Sequence, residues 1–205
     1  MSHLSLRIIR DEHAALSAML RSLAMMVQRG PVKDSERQNY FEVMRAMLFY
    51  VDEFPERLHH TKESALLFPK VAQRSPHISA IIDQLEYDHA RGEHAVRELA
   101  HLLLAWELLG ETRRAPFESA VNRYISFYLE HMRLEETEVI PEALKVLSPE
   151  DWKALDEAFS TNADPLTGKY PTHPDYAGLF SKITMHAPAP IGAGACMVIL
   201  LNSPA

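Results

Sequence analysis

Two eleven-residue stretches carry the same chemistry: HHTKESALLFP at 59–69 and HMRLEETEVIP at 131–141. In each, a histidine is followed four residues on by a glutamate and ten residues on by a proline that closes a short apolar run. His59 and His131 are 72 residues apart, as are Glu63 and Glu135. A second echo precedes them, Asp11-Glu12-His13-Ala14 and Tyr87-Asp88-His89-Ala90, spaced by 76. The order is therefore His, then His-x-x-x-Glu, given twice. On a helix, residues four apart stand about 40° apart around the axis and one turn along it, so each His and Glu can reach one point. Imidazole nitrogen and carboxylate oxygen offered by two helical hairpins can build a two-metal site inside a bundle.

The elements that must hold these side chains are legible from hydrophobic spacing. Leu6, Ile9, His13, Leu16, Leu20, Leu23 and Val27 alternate steps of three and four, which predicts a helix over 3–30 with His13 on its buried seam. Gly30-Pro31 ends it. A second helix starts near Asp34 or Ser35 and follows Tyr40, Met44, Met47, Val51 and Phe54. Pro55 then removes the hydrogen bond to the Val51 carbonyl and predicts a kink. The seam would continue at Leu58, so the kink is read as a register shift that turns His59 and Glu63 inward, with the helix resuming to about Gln73.

Ser75-Pro76 predicts the start of a third helix, with Ser75 as N-cap. Its seam is Ile78, Ile82, Leu85, His89, Gly92, Val96, Leu99, Leu103 and Trp106. Glycine is a poor helix former, so Gly92 predicts room beside His89, for a ligand on the metal or for close helix packing. The fourth helix opens near Ala115-Pro116 and runs through Val121, Tyr124, Tyr128, His131, Glu135 and Val139. Its two tyrosines are core aromatics whose hydroxyls can turn toward the site. The expected fold is all-α: an up-down-up-down four-helix bundle over 1–147. Residues 148–205 then form a short helix capped by Ser148 and Pro149, and a Pro/Gly-rich tail packed on the bundle. That tail includes a turn or two of helix over Tyr176 to Thr184.

A single seam histidine is usually an ordinary core residue, and a single His-x-x-x-Glu is usually a surface pair. Six such residues on core seams at constant offset are a ligand cluster: His13, His59, Glu63, His89, His131 and Glu135. The two glutamates face seams that hold no arginine or lysine, and a buried carboxylate needs a partner, so they call for a cation. Two further candidates stand beside them. His60 lies about 100° round the helix from His59 and falls beside the centre or toward solvent. Glu93, four residues after His89, reaches either the site or Arg97.

Composition narrows the remaining classes. The 205 residues carry a net charge of −7 with no basic cluster, which argues against nucleic acid as a partner. Cys196 is the single cysteine, so no intramolecular disulfide is expected. Arg7, Arg10, Asp11 and Glu12 come too early for a signal-peptide apolar core, and the longest apolar run, Ile191 to Leu201, is too short for a membrane span. A cytoplasmic location is the expectation. No nucleophile motif, glycine-rich phosphate loop or cysteine pair points to another chemistry.

Over residues 3 to about 145 the chain resembles the hemerythrin family, in its bacterial and archaeal branch of "HHE" cation-binding domains. The doubled His-x-x-x-Glu with its LFP or VIP trailer carries the resemblance. It implies a non-haem di-iron centre in a four-helix bundle: two iron ions held by the six residues above, with Glu63 and Glu135 bridging. This chain departs from the oxygen carriers at Glu93, where they have a second histidine on the third helix. Glu93, a water or another side chain then fills that place. The expected function is binding of dioxygen or nitric oxide for sensing, storage or delivery, with azide-like anions as further ligands. A di-iron enzyme acting on peroxide, nitric oxide or ferrous iron competes with it, as does a regulatory bundle that its metal only stabilises.

Overall fold

The computed structural model describes residues 3–31 and 33–194; Cys196 and the end of the apolar run that begins at Ile191 lie outside the described residues. α1 is Leu4–Arg29. α2 fills residues 34–74 as one rod: Asp34–Val51, a π-helical stretch Asp52–His59, a short α stretch His60–Lys62, a second π-helical stretch Glu63–Leu67, and Phe68–Arg74. A 3-10 turn, Pro76–Ile78, leads into α3, Ser79–Leu109. α4 runs from Arg114–Leu134 through a third π-helical stretch, Glu135–Val139, into Ile140–Val146. α5 is Pro149–Phe159 and α6 is Ala177–His186. Among the described residues there is no strand, only one isolated bridge between Pro188 and Gly194. None of the described helices is long and apolar enough to cross a membrane.

The seams pack as their spacing requires. All nine residues of the third seam, from Ile78 in the 3-10 turn to Trp106 on α3, are buried. The chain reverses between successive helices, and contacts at one end of the bundle show it. Tyr40, early in α2, donates its hydroxyl to the Met26 carbonyl late in α1 at 2.9 Å. Arg114, opening α4, donates to the Val27 carbonyl at 3.0 Å, satisfying a helix end that lacks partners of its own. Ser148 forms the expected capping box with Asp151. Ser75 does not cap α3; its hydroxyl instead donates to Glu142 Oε1 on α4 at 2.6 Å.

Three prolines account for where α2 and α4 widen. A proline ring collides with the carbonyl four residues back and offers it no N–H, a cost of about 3 kcal/mol in a regular helix. A π turn, with hydrogen bonds five residues back, moves that carbonyl aside. Pro55 lies inside the first π stretch, while Pro69 and Pro141 follow the other two by two residues. The bonds close accordingly: His60 N–H to the Pro55 carbonyl, Phe68 to Glu63, and Ile140 to Glu135. The kink expected at Pro55 is thus a wide turn, and it produces the register shift. Leu58 is 37% exposed, while His59 and His60 are each 3% exposed.

The core is split in two. One apolar cluster holds Leu16 to Val27 with Tyr40, Phe41, Trp106 and Phe117, and α6 covers it with Phe180 and Ile183. The other holds Leu6, Ile9, Phe68, Leu85 and Ile140, covered by Trp152, Leu155 and Phe159 of α5. Burying each such side chain stabilises the fold by roughly 1.5–3 kcal/mol. Between the two lies a polar layer to which each of the four long helices contributes. His13 falls between Ile9 and Leu16, and His89 between Leu85 and Val96.

Candidate metal centre

The polar layer brings together seven side chains: His13 from α1, His59, His60 and Glu63 from α2, His89 from α3, and His131 and Glu135 from α4, each less than 9% exposed. Their ligand atoms form two groups. His13, His59, Glu63 and Glu135 make one, and His60, Glu63, His89 and His131 the other; within each, the atoms lie within 4.8 Å of one another. Glu63 belongs to both. Its Oε1 is 2.7 Å from His59 Nε2 and its Oε2 is 3.4 Å from His89 Nε2. Glu135 Oε2 is 3.3 Å from His13 Nε2.

The outer nitrogens are held by acceptors, which fixes where the hydrogens sit. His13 Nδ1 is 2.8 Å from Glu136, His59 Nδ1 is 2.7 Å from Glu12, and His60 Nδ1 is 3.1 Å from Glu56. A carboxylate accepts, so these Nδ1 atoms carry the hydrogen, and in the neutral ring that binds a cation each Nε2 turns a lone pair inward. Ser64 donates to Glu86 at 2.7 Å and therefore accepts from His89 Nδ1 at 2.9 Å. His131 Nδ1 stands 3.8 Å from Asp88, too far for a hydrogen bond. The internal echo extends to these partners. Glu12 and Asp88 each precede a histidine and face the histidine of a His-x-x-x-Glu; Ser64 and Glu136 each follow a glutamate and hold a histidine of another helix, His89 on α3 and His13 on α1.

This donor set fits cations. Both oxygens of Glu63, both of Glu135, and Nε2 of His13 and His59 are buried with no hydrogen-bond partner among the described residues. The Nε2 atoms of His89 and His131 face each other at 3.2 Å. Without positive charge the carboxylates oppose each other: burial first, then the Glu63 charge, pushes Glu135 up to about 7. Burial would depress His13, but Glu135 and Glu136 lift it to about 9. Burial holds His60 and His131 below the usual imidazole range, leaving their lone pairs free. Two histidine–carboxylate groups sharing one glutamate suit borderline divalent ions such as iron.

The structure corrects the reading of His60 and decides two alternatives that the sequence left open. His60 is neither at solvent nor merely beside the centre. It stacks on His89, centroids 4.2 Å apart and planes within 15°, and contributes a fifth inward imidazole. Glu93 does not approach the site; its side chain is half exposed and paired with Arg97 at 2.5 Å. The space at Gly92 serves packing against the neighbouring helix α4 rather than a ligand. A Cβ there would stand 2.1 Å from the Tyr128 hydroxyl oxygen and 3.0 Å from Glu56 Oε1. The gap admits the tip of Tyr128, which donates to Glu56 beside Tyr124, whose hydroxyl is 3.0 Å from the same oxygen. Glu56, raised to about 7 by burial, links both tyrosines to His60. The polar partners Glu12, Glu56, Asp88 and Asn162 were not singled out from sequence. For Glu12 and Asp88 the signal was present, an acid before the histidine in both echoes.

Residues 4–143 match the family described as the hemerythrin HHE cation-binding domain. The chain is also 33% identical over 91 residues to a protein of Pectobacterium carotovorum subsp. carotovorum (strain PC1) named iron-sulfur cluster repair protein YtfE. That likeness covers 42% of this chain and 41% of the relative, less than half of either.

Proposed function

The chain belongs to the hemerythrin HHE cation-binding domain family, and from that premise we propose that it is a non-haem di-iron protein that binds dioxygen or nitric oxide. His13, His59 and Glu135 hold one ion, His60, His89 and His131 the other, and Glu63 serves both. The observation that carries this reading is the pair of buried groups sharing Glu63, with the oxygens of both glutamates lacking any hydrogen-bond partner among the described residues. Iron held there supplies a binding position for a diatomic ligand and electrons to exchange with it. The protein supplies the rest. The Nδ1 contacts orient the imidazoles, and the two apolar clusters keep bulk water away. On this reading His60 on α2 fills the place that the sequence left to Glu93, a water or another side chain.

The test is iron per chain together with visible spectra of the reduced protein before and after air, nitric oxide or azide. Two irons per chain and a ligand-dependent spectrum are expected. Two irons with a spectrum unchanged by every ligand would leave only a metal-stabilised bundle. A second reading, a part in iron–sulfur cluster repair, is supported by the 91-residue likeness alone. It predicts that iron leaves readily for a strong chelator, whereas a gas-binding centre keeps its metal through repeated ligand exchange.

A further inference from the structure

The matched family stretch ends at residue 143, yet a segment well beyond it reaches the centre. Asn162 is 4% exposed, and its Nδ2 donates at 2.8 Å to Glu12 Oε2, the oxygen that also lies 2.7 Å from His59 Nδ1. Lys62, next to Glu63, donates to Asn162 Oδ1 and, at 2.8 Å, to Thr161 Oγ1. Two residues on, buried Asp164 accepts the Tyr50 hydroxyl at 2.6 Å and, through its other oxygen, the Leu166 N–H at 2.9 Å. Between these anchors Ala163 has φ 48°, a left-handed conformation that a residue with a Cβ keeps only where its surroundings hold it. Asn162 and Asp164, with Glu12, His13, Phe54 and His59, line a cavity of about 10 Å³, room for roughly one water.

A tail that merely covered apolar surface would do so with apolar side chains, as α6 does with Phe180 and Ile183. This segment instead aims a buried amide at the one carboxylate that orients His59. Without that amide, Glu12 keeps only His59 as a hydrogen-bond partner among the described residues and gains freedom to swing, and His59 Nε2 swings with it. We propose that Asn162 is a positioning residue of the metal centre, acting on His59 through Glu12, and that residues 161–167 are the wall closing the His13–His59 side. The inference rests on the two-metal reading. Coupling is reciprocal, so metal in that group should also tighten the segment.

The experiment titrates the metal-free full-length chain with ferrous iron under anaerobic conditions and follows backbone hydrogen exchange over 161–167. Asn162→Asp keeps the shape but sets an acceptor against Glu12. It should weaken the ion of the His13–His59 group by roughly 10–100-fold and leave the other unchanged, the range that follows loss of an outer partner. Asn162→Ala should give a loss at the lower end of that range, and Asn162→Gln, which keeps a donor, should recover part of it. Exchange over 161–167 should slow when the wild-type chain takes up iron. Unaltered affinity at both positions in a folded Asn162→Asp chain would overturn the proposal, whatever its melting temperature. So would exchange over 161–167 that does not respond to iron in the wild type, a measurement no misfolded variant can spoil. A wild-type chain that fails to bind two ions would overturn the metal reading and this inference with it.

Discussion

The two His-x-x-x-Glu repeats begin from similar sequences and present different side chains to the centre. Downstream of the glutamate they agree: Glu63–Leu67 and Glu135–Val139 are both π-helical, and each leads to a proline two residues on. Upstream they part. The first repeat is preceded by Pro55 and the wide turn Asp52–His59; the second has Phe127 at the matching position and stays α-helical from Arg114 to Leu134. As a result His59 and His60 both enter the polar layer, whereas Met132, which matches His60, packs in the apolar core. Glu56 and Tyr128, also matched, do not do the same job twice but bond to each other across the site. A local change of helical pitch has added an imidazole without adding a helix. One group thereby gathers three histidines and a carboxylate, the other two histidines and two carboxylates.

The largest effect should come from the glutamates, because only Glu63 belongs to both groups. Glu63→Ala should lose both ions, while Glu135→Ala should lose mainly the ion of the His13–His59 group, as read by iron per chain. Equal losses would break the asymmetry drawn between the repeats. Next comes an exchange of the matched residues. His60→Met, which makes the first repeat like the second, should weaken the ion beside His89 by more than the roughly 10–100-fold typical of losing an outer partner. Met132→His should add no metal affinity, since no wide turn precedes it, and should destabilise the core it enters. A gain of iron affinity in Met132→His would show that pitch is not what separates the repeats.

How much of this was legible follows from which signals are periodic. The four long helices and their seams were, because steps of three and four persist over several turns; the nine residues of the third seam illustrate it. The six residues first singled out were brought together for the same reason. His60 was misplaced because a full 100° step was applied from His59 to His60, where the wide turn ends. The clue was the set of prolines, read as a kink and as trailers rather than as marks of altered pitch. Gly92 showed that space was needed but not what fills it, since Tyr128 comes from another helix. Asn162 lies in an irregular stretch, where no periodicity reports which side chain turns inward.

Gly92 offers a smaller test of the Glu56–Tyr128 pairing between the repeats. Gly92→Ala gains about 1 kcal/mol of helix propensity. Its Cβ displaces the Tyr128 hydroxyl, leaving buried polar groups unsatisfied at about 1–3 kcal/mol, so net destabilisation by urea unfolding is expected. Adding Tyr128→Phe removes the oxygen that the Cβ meets, so the double variant should be less destabilised than the two single effects combined. Strict additivity would mean that Gly92 accommodates something other than that hydroxyl.

The smallest effect separates the far ends of the repeats, just past their prolines. There Lys70 of the first repeat donates to Asp151 of α5 at 3.0 Å, while its match, Glu142, accepts from Ser75 at 2.6 Å and from Lys145 at 2.9 Å. The Lys70 contact, aided by the Ser148 cap, holds Asp151 down to about 2 from an ordinary 3.8; Ser75 and Lys145 also hold Glu142 below the usual range. A depressed carboxylate contributes stability that is complete above its unfolded value and is lost as pH falls through the folded one. The Asp151 contribution should therefore fade between about pH 4 and pH 2. In metal-free protein, where no iron is released by acid, Asp151→Asn should flatten that limb of the urea midpoint against pH. Glu142→Gln should do so less, because its charged partner Lys145 is open to solvent and screening whereas Lys70 is largely covered. If the two variants flatten the limb equally, α5 does not clamp the first repeat more firmly than Ser75 and Lys145 hold the second.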